Sequence, residues 1–169
     1  MIVLNGASSS GKSTLAKELQ LYTKEIYLHC TLDMFWNMTP ANVRANSINF
    51  PHLKCAMAQS VIALASTGHN VIVDIVLGSS KPDVEFVHAL SKINYTMIKI
   101  DCALEELERR EIERGNRKIG LAKSQFDIVH RDILYDMEID TTVNSPKTCA
   151  QMIVDKSPKV SYLDDLALD

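Results

Sequence analysis

The residues best suited to chemistry lie near the start of the chain, where positions 6–13 follow the pattern G-x-x-x-x-G-K-S. Glycines at both ends of this pattern let the backbone wrap around an anion and turn its N–H groups inward. The lysine can reach the β- and γ-phosphates of a nucleotide, and the last serine can offer its hydroxyl to Mg²⁺. The pattern predicts a phosphate-binding loop composed of Gly6, Ala7, Ser8, Ser9, Ser10, Gly11, Lys12 and Ser13, continued by Thr14.

The sequence on either side of this loop fits the same prediction. Ile2–Asn5 is a short apolar run typical of a strand, and Leu15 and Leu19 lie one helical turn apart among polar residues. A helix that begins here would aim its free N–H groups and the positive end of its dipole at the bound anion. An ordinary turn rich in glycine and serine is the alternative, and the flanking strand and helix favour the phosphate-binding loop.

Two aspartates stand at or just beyond the ends of apolar runs. Asp74 ends the run Val71–Asp74, where its carboxylate could hold Mg²⁺ beside Ser13, directly or through water, or could simply cap or pair at a strand end. Asp33 follows the second predicted strand, where it could orient an attacking hydroxyl and take its proton, or serve as a helix N-cap. With a reference pKa of about 3.9, an aspartate is a weak base for an alcohol, so positioning would be its main contribution.

Three arginines later in the chain have the spacing of one helical face. Arg110, Arg114 and Arg117 stand at positions i, i+4 and i+7. With Gly115 as a hinge, the segment 105–123 is predicted to form a lid that closes over phosphates and neutralises their charge. The alternative is a solvated helix whose glutamates and arginines pair with each other.

The segment Leu32–Leu53 is apolar but irregular. It contains Met34, Phe35, Trp36, Met38, Pro40, Phe50 and Pro51. Such a segment suits a pocket for an organic molecule, and ordinary core packing is the alternative for any one of these side chains.

The elements that position these residues alternate along the chain. Strands are predicted at 2–5, 26–30, 71–76, 95–101 and 136–140, and helices at about 12–23, 52–67, 82–92, 103–114, 122–132 and 146–155. Short, mostly apolar strands indicate a sheet covered on both faces, so the prediction is an α/β fold of three layers, α/β/α, with a parallel sheet of about five strands. In such a sheet ligands bind beyond the carboxyl ends of the strands, where the candidate residues lie.

Size and composition limit the function classes. With 169 residues and a net charge of −3, we expect one domain over 1–156 with an acidic tail at 157–169, and no nucleic-acid surface. The predicted first strand starts at the first residue, so no signal peptide is expected, and no apolar run reaches the length of a membrane span. We interpret Cys30, Cys55, Cys102 and Cys149 as buried thiols, which favours a cytoplasmic protein. The sequence indicates no particular oligomeric state.

Several short blocks together carry a family resemblance over nearly the whole chain. They are Leu4–Ser13, Leu32-Asp33 with Met38-Thr39-Pro40, Val71–Asp74 with Leu77-Gly78, Arg110-Glu111, Arg114–Arg117, Gly120-Leu121-Ala122, Gln125, Val129-His130, Tyr135–Thr142, Pro146, Cys149-Ala150 and Ile153. In these blocks the chain resembles the chloramphenicol phosphotransferase-like group of P-loop kinases.

The resemblance implies a P-loop NTPase fold and ATP- and Mg²⁺-dependent phosphorylation of a hydroxyl on a small organic molecule. It implies that Asp33 is the base and that Arg110, Arg114 and Arg117 belong to a lid. It also implies that Thr141, Thr142 and Pro146 belong to the loop near the adenine, with Thr142 as the residue that binds it. The chain departs from the expected pattern at Met34–Asn37, which is bulkier, and at Ile75, where a second acidic residue is expected.

Two other functions stay open. One is a kinase of a nucleoside, nucleotide or sugar nucleotide, and the other is a non-catalytic, ATP-gated binding protein. A GTPase would need the motif N-K-x-D, which the sequence lacks. Fold alone does not distinguish these alternatives.

Overall fold

A parallel five-stranded sheet forms the centre of the fold. The computed structural model describes residues 1–115 and 118–156. Its strands are β1 (Ile2–Asn5), β2 (Tyr27–Thr31), β3 (Asn70–Ile75), β4 (Thr96–Asp101) and β5 (Met137–Asp140). Their order across the sheet is β2-β3-β1-β4-β5, and every neighbouring pair is parallel. The predicted parallel sheet of about five strands is therefore confirmed.

Helices cover both faces of the sheet. They are α1 (Lys12–Tyr22), α2 (Leu32–Trp36), α3 (Phe50–Ser66), α4 (Lys81–Leu90), α5 (Leu104–Arg114), α6 (Leu121–Phe126) and α7 (Pro146–Lys156), with a short 3₁₀ turn at Ala45–Ser47. Helices α1 and α7 pack on one face, and α3 and α4 pack on the other. The three-layer α/β/α prediction is confirmed.

Burial on both faces explains why the strands read as continuous apolar runs. On β1, Ile2 and Leu4 pack towards α1 and α7, while Val3 packs towards α3 and α4. Each of these side chains is at most 2% exposed. A central strand of this kind has no solvent-facing side, so polar residues on it are confined to its carboxyl end, as Asn5 is.

The prediction of one helix over 122–132 is wrong. Helix α6 ends at Phe126, and His130 and Asp132 take positive φ values of 79° and 57°, which no α-helix contains. The N–H of His130 donates to the carbonyl oxygen of Leu77, and its ring Nδ1 lies 2.6 Å from the hydroxyl of Tyr135. The contact with Leu77, a distant residue of the chain, overrides the local helical pattern.

Three of the four cysteines are buried, as predicted, but Cys55 is exposed on α3. Burial raises the pKa of the Cys30 thiol to about 11, so this thiol stays protonated.

None of the described helices is long and apolar enough to cross a membrane.

Candidate active site

The phosphate-binding loop Gly6–Ser13 connects the carboxyl end of β1 to the start of α1. Gly6 packs so closely on β4 that a β-carbon there would lie 2.5 Å from the carbonyl oxygen of Ile100. Gly11 caps α1 with a φ of 90°, a conformation that side chains disfavour. Close packing against β4 thus requires glycine at position 6, and the backbone conformation of the loop favours glycine at position 11.

Lys12 is folded back over its own loop. Its Nζ donates to the carbonyl oxygens of Gly6 and Ala7, both at 2.8 Å, and lies 3.8 Å from Oδ1 of Asp74. The side chain is only 7% exposed, yet it lines the main cavity. The ammonium is therefore fixed at the loop before any ligand arrives.

Asp74 at the end of β3 accepts a hydrogen bond of 2.5 Å from Oγ of Ser13. His29 on β2 places its Nε2 3.6 Å from the same carboxylate oxygen, Oδ2. Burial alone would raise the pKa of Asp74, but His29, Lys12 and Ser13 together hold it below its ordinary value. The carboxylate stays ionised, as a ligand or outer partner of a cation must be.

The polar atoms of the loop suit an anion. Among the described residues, the buried hydroxyls of Ser9 and Ser10 have no hydrogen-bond partner. The N–H of Ser8 donates to Oε1 of Gln125 at 2.7 Å, which brings α6 onto the loop. An unpaired buried hydroxyl is costly, and Ser9 lines the main cavity, so a bound phosphate that accepts from its hydroxyl would stabilise the loop.

Arg110 lies against the loop in a fixed orientation. Its Nε donates to Glu106 at 2.6 Å, and its Nη2 donates to the carbonyl oxygen of Thr141 at 2.7 Å. The hydroxyl of Thr141 in turn donates to the carbonyl oxygen of Ser10 at 2.8 Å. Hydrogen bonds from Arg109 and Arg110 lower the pKa of Glu106 to about 2, so this anchor is always charged.

The rest of the predicted lid is tied together by one buried carboxylate. Glu111 on α5 is 2% exposed and accepts from the N–H groups of Gly120 at 2.6 Å and Ala122 at 2.9 Å. It caps the start of α6 from a different helix, so α5 and α6 are joined directly. Arg114 also lines the cavity, whereas Arg117 lies outside the described residues.

Asp33 lies in the first turn of α2 and lines the same cavity. The helix N-cap is Thr31, whose hydroxyl accepts from the N–H of Met34 at 3.2 Å. The alternative interpretation of Asp33 as an N-cap is therefore wrong. Its carboxylate is exposed beside the cavity, where a second molecule could reach it.

One cavity of about 1270 Å³ joins all these groups. A pocket for a single ligand usually measures roughly 300–1,000 Å³, so this cavity has room for a nucleotide and a second molecule. The predicted site residues that line it are Ser8, Ser9, Gly11, Lys12, Ser13, Thr14, Asp33, Asp74, Arg110 and Arg114. Gly6, Ala7 and Ser10 are buried residues of the loop and do not line this cavity.

The structure does not bring Thr142 to this cavity. Its hydroxyl accepts from the N–H of Ala103 at 2.9 Å, and its neighbours Thr141, Asn144 and Pro146 line the cavity instead. Successive side chains at the end of a strand point in different directions. The side chain of one residue can therefore face the ligand while that of the next residue has a structural role.

A buried ion pair forms part of the wall near Asp33. Lys54 on α3 pairs with Asp83 on α4 and donates to the carbonyl oxygen of Val76 at 3.0 Å. Asp83 also accepts from the N–H of Gly78 at 3.1 Å and the hydroxyl of Ser80 at 2.5 Å. Burial would raise the pKa of Asp83, but Lys54, Ser80 and Gly78 hold it below its ordinary value.

Asp83→Asn is expected to lower the free energy of unfolding by about 3 kcal/mol, because it leaves the Lys54 charge without its partner in a largely buried site. Urea unfolding at neutral pH measures this loss. The folded-state pKa of Asp83 is lowered, so its contribution is fully present above about pH 4 and disappears as the pH falls through that lowered pKa. The double change Lys54→Met with Asp83→Leu should recover most of the loss. An unchanged midpoint for Asp83→Asn alone would contradict the prediction.

Sequence reasoning missed several polar residues of the cavity wall, among them His29, Lys54 and Asp83. His29 stands inside a predicted strand, and Lys54 and Asp83 stand on predicted helices, where charged residues are common. The one available signal was positional, since His29 lies close to the carboxyl end of its strand, where ligands of such sheets bind.

Comparisons with known proteins agree with this geometry. Residues 1–158 match the family described as chloramphenicol phosphotransferase-like protein. A Mycobacterium tuberculosis protein (strain H37Rv), provisionally named an O-phosphotransferase, is 30% identical, with 84% of this chain and 75% of the relative covered. A counterpart from strain CDC 1551 matches equally well.

Two solved structures share the fold. One is the M. tuberculosis APS kinase CysC in complex with AMPPNP and APS, at 18% identity, with a TM-score of 0.67 and coverage of 91% of this chain and 95% of that one. The other is shikimate kinase from Acinetobacter baumannii in complex with shikimate, at 14% identity, with a TM-score of 0.63 and coverage of 91% and 90%. With the family match over residues 1–158, the chain belongs to the chloramphenicol phosphotransferase-like family of P-loop kinases.

Proposed function

We propose that this protein transfers the γ-phosphate of ATP to a hydroxyl of a small organic molecule, with Mg²⁺ as the cation. The observation that carries the proposal is a single cavity lined both by the phosphate-binding loop and by Asp33. A site built only to bind a nucleotide has no need of a carboxylate on a separate helix beside an open apolar wall. A non-catalytic ATP-gated protein is for this reason the weaker alternative.

The nucleotide side of the cavity supplies positive charge. Lys12, Arg110 and Arg114 bind phosphate oxygens and stabilise the charge that develops during transfer. Ser13 and Asp74 would hold the cation, which when bound neutralises phosphate charge. The paired Lys12 and Arg110 are fixed in advance, so little reorganisation is needed at the moment of reaction.

The acceptor side supplies orientation. Asp33 accepts a hydrogen bond from the substrate hydroxyl, aims its oxygen at the γ-phosphorus and takes the proton as the new O–P bond forms and the bond to the leaving β-phosphate oxygen breaks. We also propose that residues 1–156 form the kinase domain, and that the segment 105–123 acts as a lid over the phosphates.

An aromatic pair narrows the acceptors to test first. Trp36 and Phe50 stack with ring centroids 5.6 Å apart and an interplanar angle of 16°, and Phe50 lines the cavity. A flat ring in the acceptor can pack against such a pair. This favours aryl alcohols such as chloramphenicol, and it keeps a nucleoside acceptor as the second candidate function.

Transfer of labelled γ-phosphate from ATP to a panel of hydroxyl compounds tests the proposal. The panel includes chloramphenicol, nucleosides, nucleotides, sugar nucleotides and simple sugars, each with and without Mg²⁺. Labelling of an alcohol that requires both Mg²⁺ and Asp33 supports the proposal and identifies the acceptor class. ATP binding without labelling of any compound would favour the ATP-gated binding protein.

A further inference from the structure

His29 is a partly buried histidine of the cavity wall that the proposed mechanism leaves unused. It lies on β2, next to β3 in the sheet, where Thr31 of β2 is in register with Asp74 of β3. Its side chain is 16% exposed and lines the main cavity. Among the described residues its Nε2 is buried and has no hydrogen-bond partner.

An unpaired ring nitrogen beside a carboxylate is an unusual arrangement for a structural histidine. Buried polar atoms in folded proteins almost always have a partner, because leaving one unpaired costs about 1–3 kcal/mol. The nitrogen lies 3.6 Å from Oδ2 of Asp74, an ion-pair distance at which a protonated ring attracts the carboxylate without a short hydrogen bond. The expected partner of His29 is therefore a species that binds in the cavity.

The spacing around Asp74 fits a cation. When two ligand atoms each lie about 2.1 Å from the same cation, they are about 3.0 Å apart in octahedral geometry and about 3.4 Å apart in tetrahedral geometry. The 3.6 Å between Nε2 of His29 and Oδ2 of Asp74 is close to these values. Oγ of Ser13 donates to the same carboxylate oxygen at 2.5 Å, and this hydrogen bond has to open before both oxygens can bind one ion.

We propose that His29 Nε2 is a nitrogen ligand of the divalent cation that binds with the nucleotide, and that it gives the site a preference for Mn²⁺ over Mg²⁺. This inference rests on the proposed function, in which Ser13 and Asp74 hold the cation. Mg²⁺ favours oxygen ligands and gains little from imidazole, whereas later divalent ions bind nitrogen more strongly. Removing the imidazole should therefore weaken Mn²⁺ binding more than Mg²⁺ binding.

The direct test is pulsed electron paramagnetic resonance of Mn²⁺ bound to protein carrying ¹⁵N-labelled histidine. Spectra are recorded with and without a non-hydrolysable ATP analogue. We expect ¹⁵N coupling to Mn²⁺ in the wild type and in His69→Gln, whose histidine is exposed and bonded to Thr67. We expect the coupling to disappear in His29→Gln. The label separates protein nitrogen from adenine nitrogen, and the readout needs no acceptor.

Calorimetric titration with the two cations gives a second measurement. The ratio of Mg²⁺ to Mn²⁺ dissociation constants should fall about tenfold in His29→Gln and stay unchanged in His69→Gln. Wild-type protein without ¹⁵N coupling, or an unchanged ratio in His29→Gln, would overturn the inference. Failure of the wild type to bind the ATP analogue would instead refute the proposed function, and the nucleotide-free Mn²⁺ spectra would still decide the role of His29.

Discussion

Lys12→Ala is expected to lower kcat/KM for phosphoryl transfer about a thousandfold, which is about 4 kcal/mol of transition-state stabilisation. The ammonium is the best-buried cation of the cavity wall, and it is held by two carbonyl oxygens of its own loop. In so dry a place a fixed charge interacts strongly with phosphate, so its loss is not compensated by water. Steady-state kinetics with the acceptor found in the labelling panel measures the effect.

Two further variants separate the charge of Lys12 from its packing. Lys12→Met keeps the aliphatic stem and removes only the charge, so we expect it to lose nearly as much activity as Lys12→Ala. Lys92→Ala serves as the control, because Lys92 is exposed just before the amino end of β4 and does not line the cavity. If kcat/KM of Lys12→Met were within tenfold of the wild-type value, the proposed role of the charge would be refuted.

Asp33→Asn is expected to lower kcat by about a hundredfold to a thousandfold while the dissociation constant for ATP stays within about threefold. The substitution keeps the size of the side chain and its place in the first turn of α2, but an amide takes no proton from a hydroxyl. Single-turnover kinetics gives the rate of the chemical step, and calorimetry gives the ATP affinity.

The matched control for Asp33 is Asp155→Asn. Asp155 is an exposed aspartate on α7, six residues beyond Cys149 of the cavity wall, or about 9 Å along the helix. We expect this variant to behave as wild type. Full turnover in Asp33→Asn would show that the carboxylate has no catalytic role, and a large loss of ATP binding would place it on the nucleotide side.

The parts of the site that could be predicted from sequence depend on local spacing. The phosphate-binding loop needs only eight consecutive residues between a strand and a helix, and the structure has that arrangement. Asp33 and Asp74 could be selected because strand ends of a parallel sheet meet at one edge. The structure places both on the cavity wall.

The remaining parts depend on contacts between distant residues. His29 and Asp74 are 45 positions apart and meet only because β2 and β3 are neighbours in the sheet. Gln125 reaches Ser8 across 117 positions. No periodicity in one sequence reports such pairings. The failed helix prediction at 122–132 has the same origin, because Leu77 holds His130 in a non-helical conformation.

The close packing of Gly6 has an evolutionary consequence. A β-carbon at this position would lie 2.5 Å from a backbone oxygen of β4 and 2.7 Å from Oγ of Ser10, and both of these atoms belong to the protein itself. A descendant of this chain that had lost all phosphoryl transfer would still be selected to keep glycine here, simply in order to fold. Lys12 makes no comparable demand on the sheet, so its loss would mark such a decayed homologue. A homologue that keeps the first glycine of the motif shows only that it shares this fold, whereas one that also keeps the lysine still has the charge that phosphoryl transfer needs.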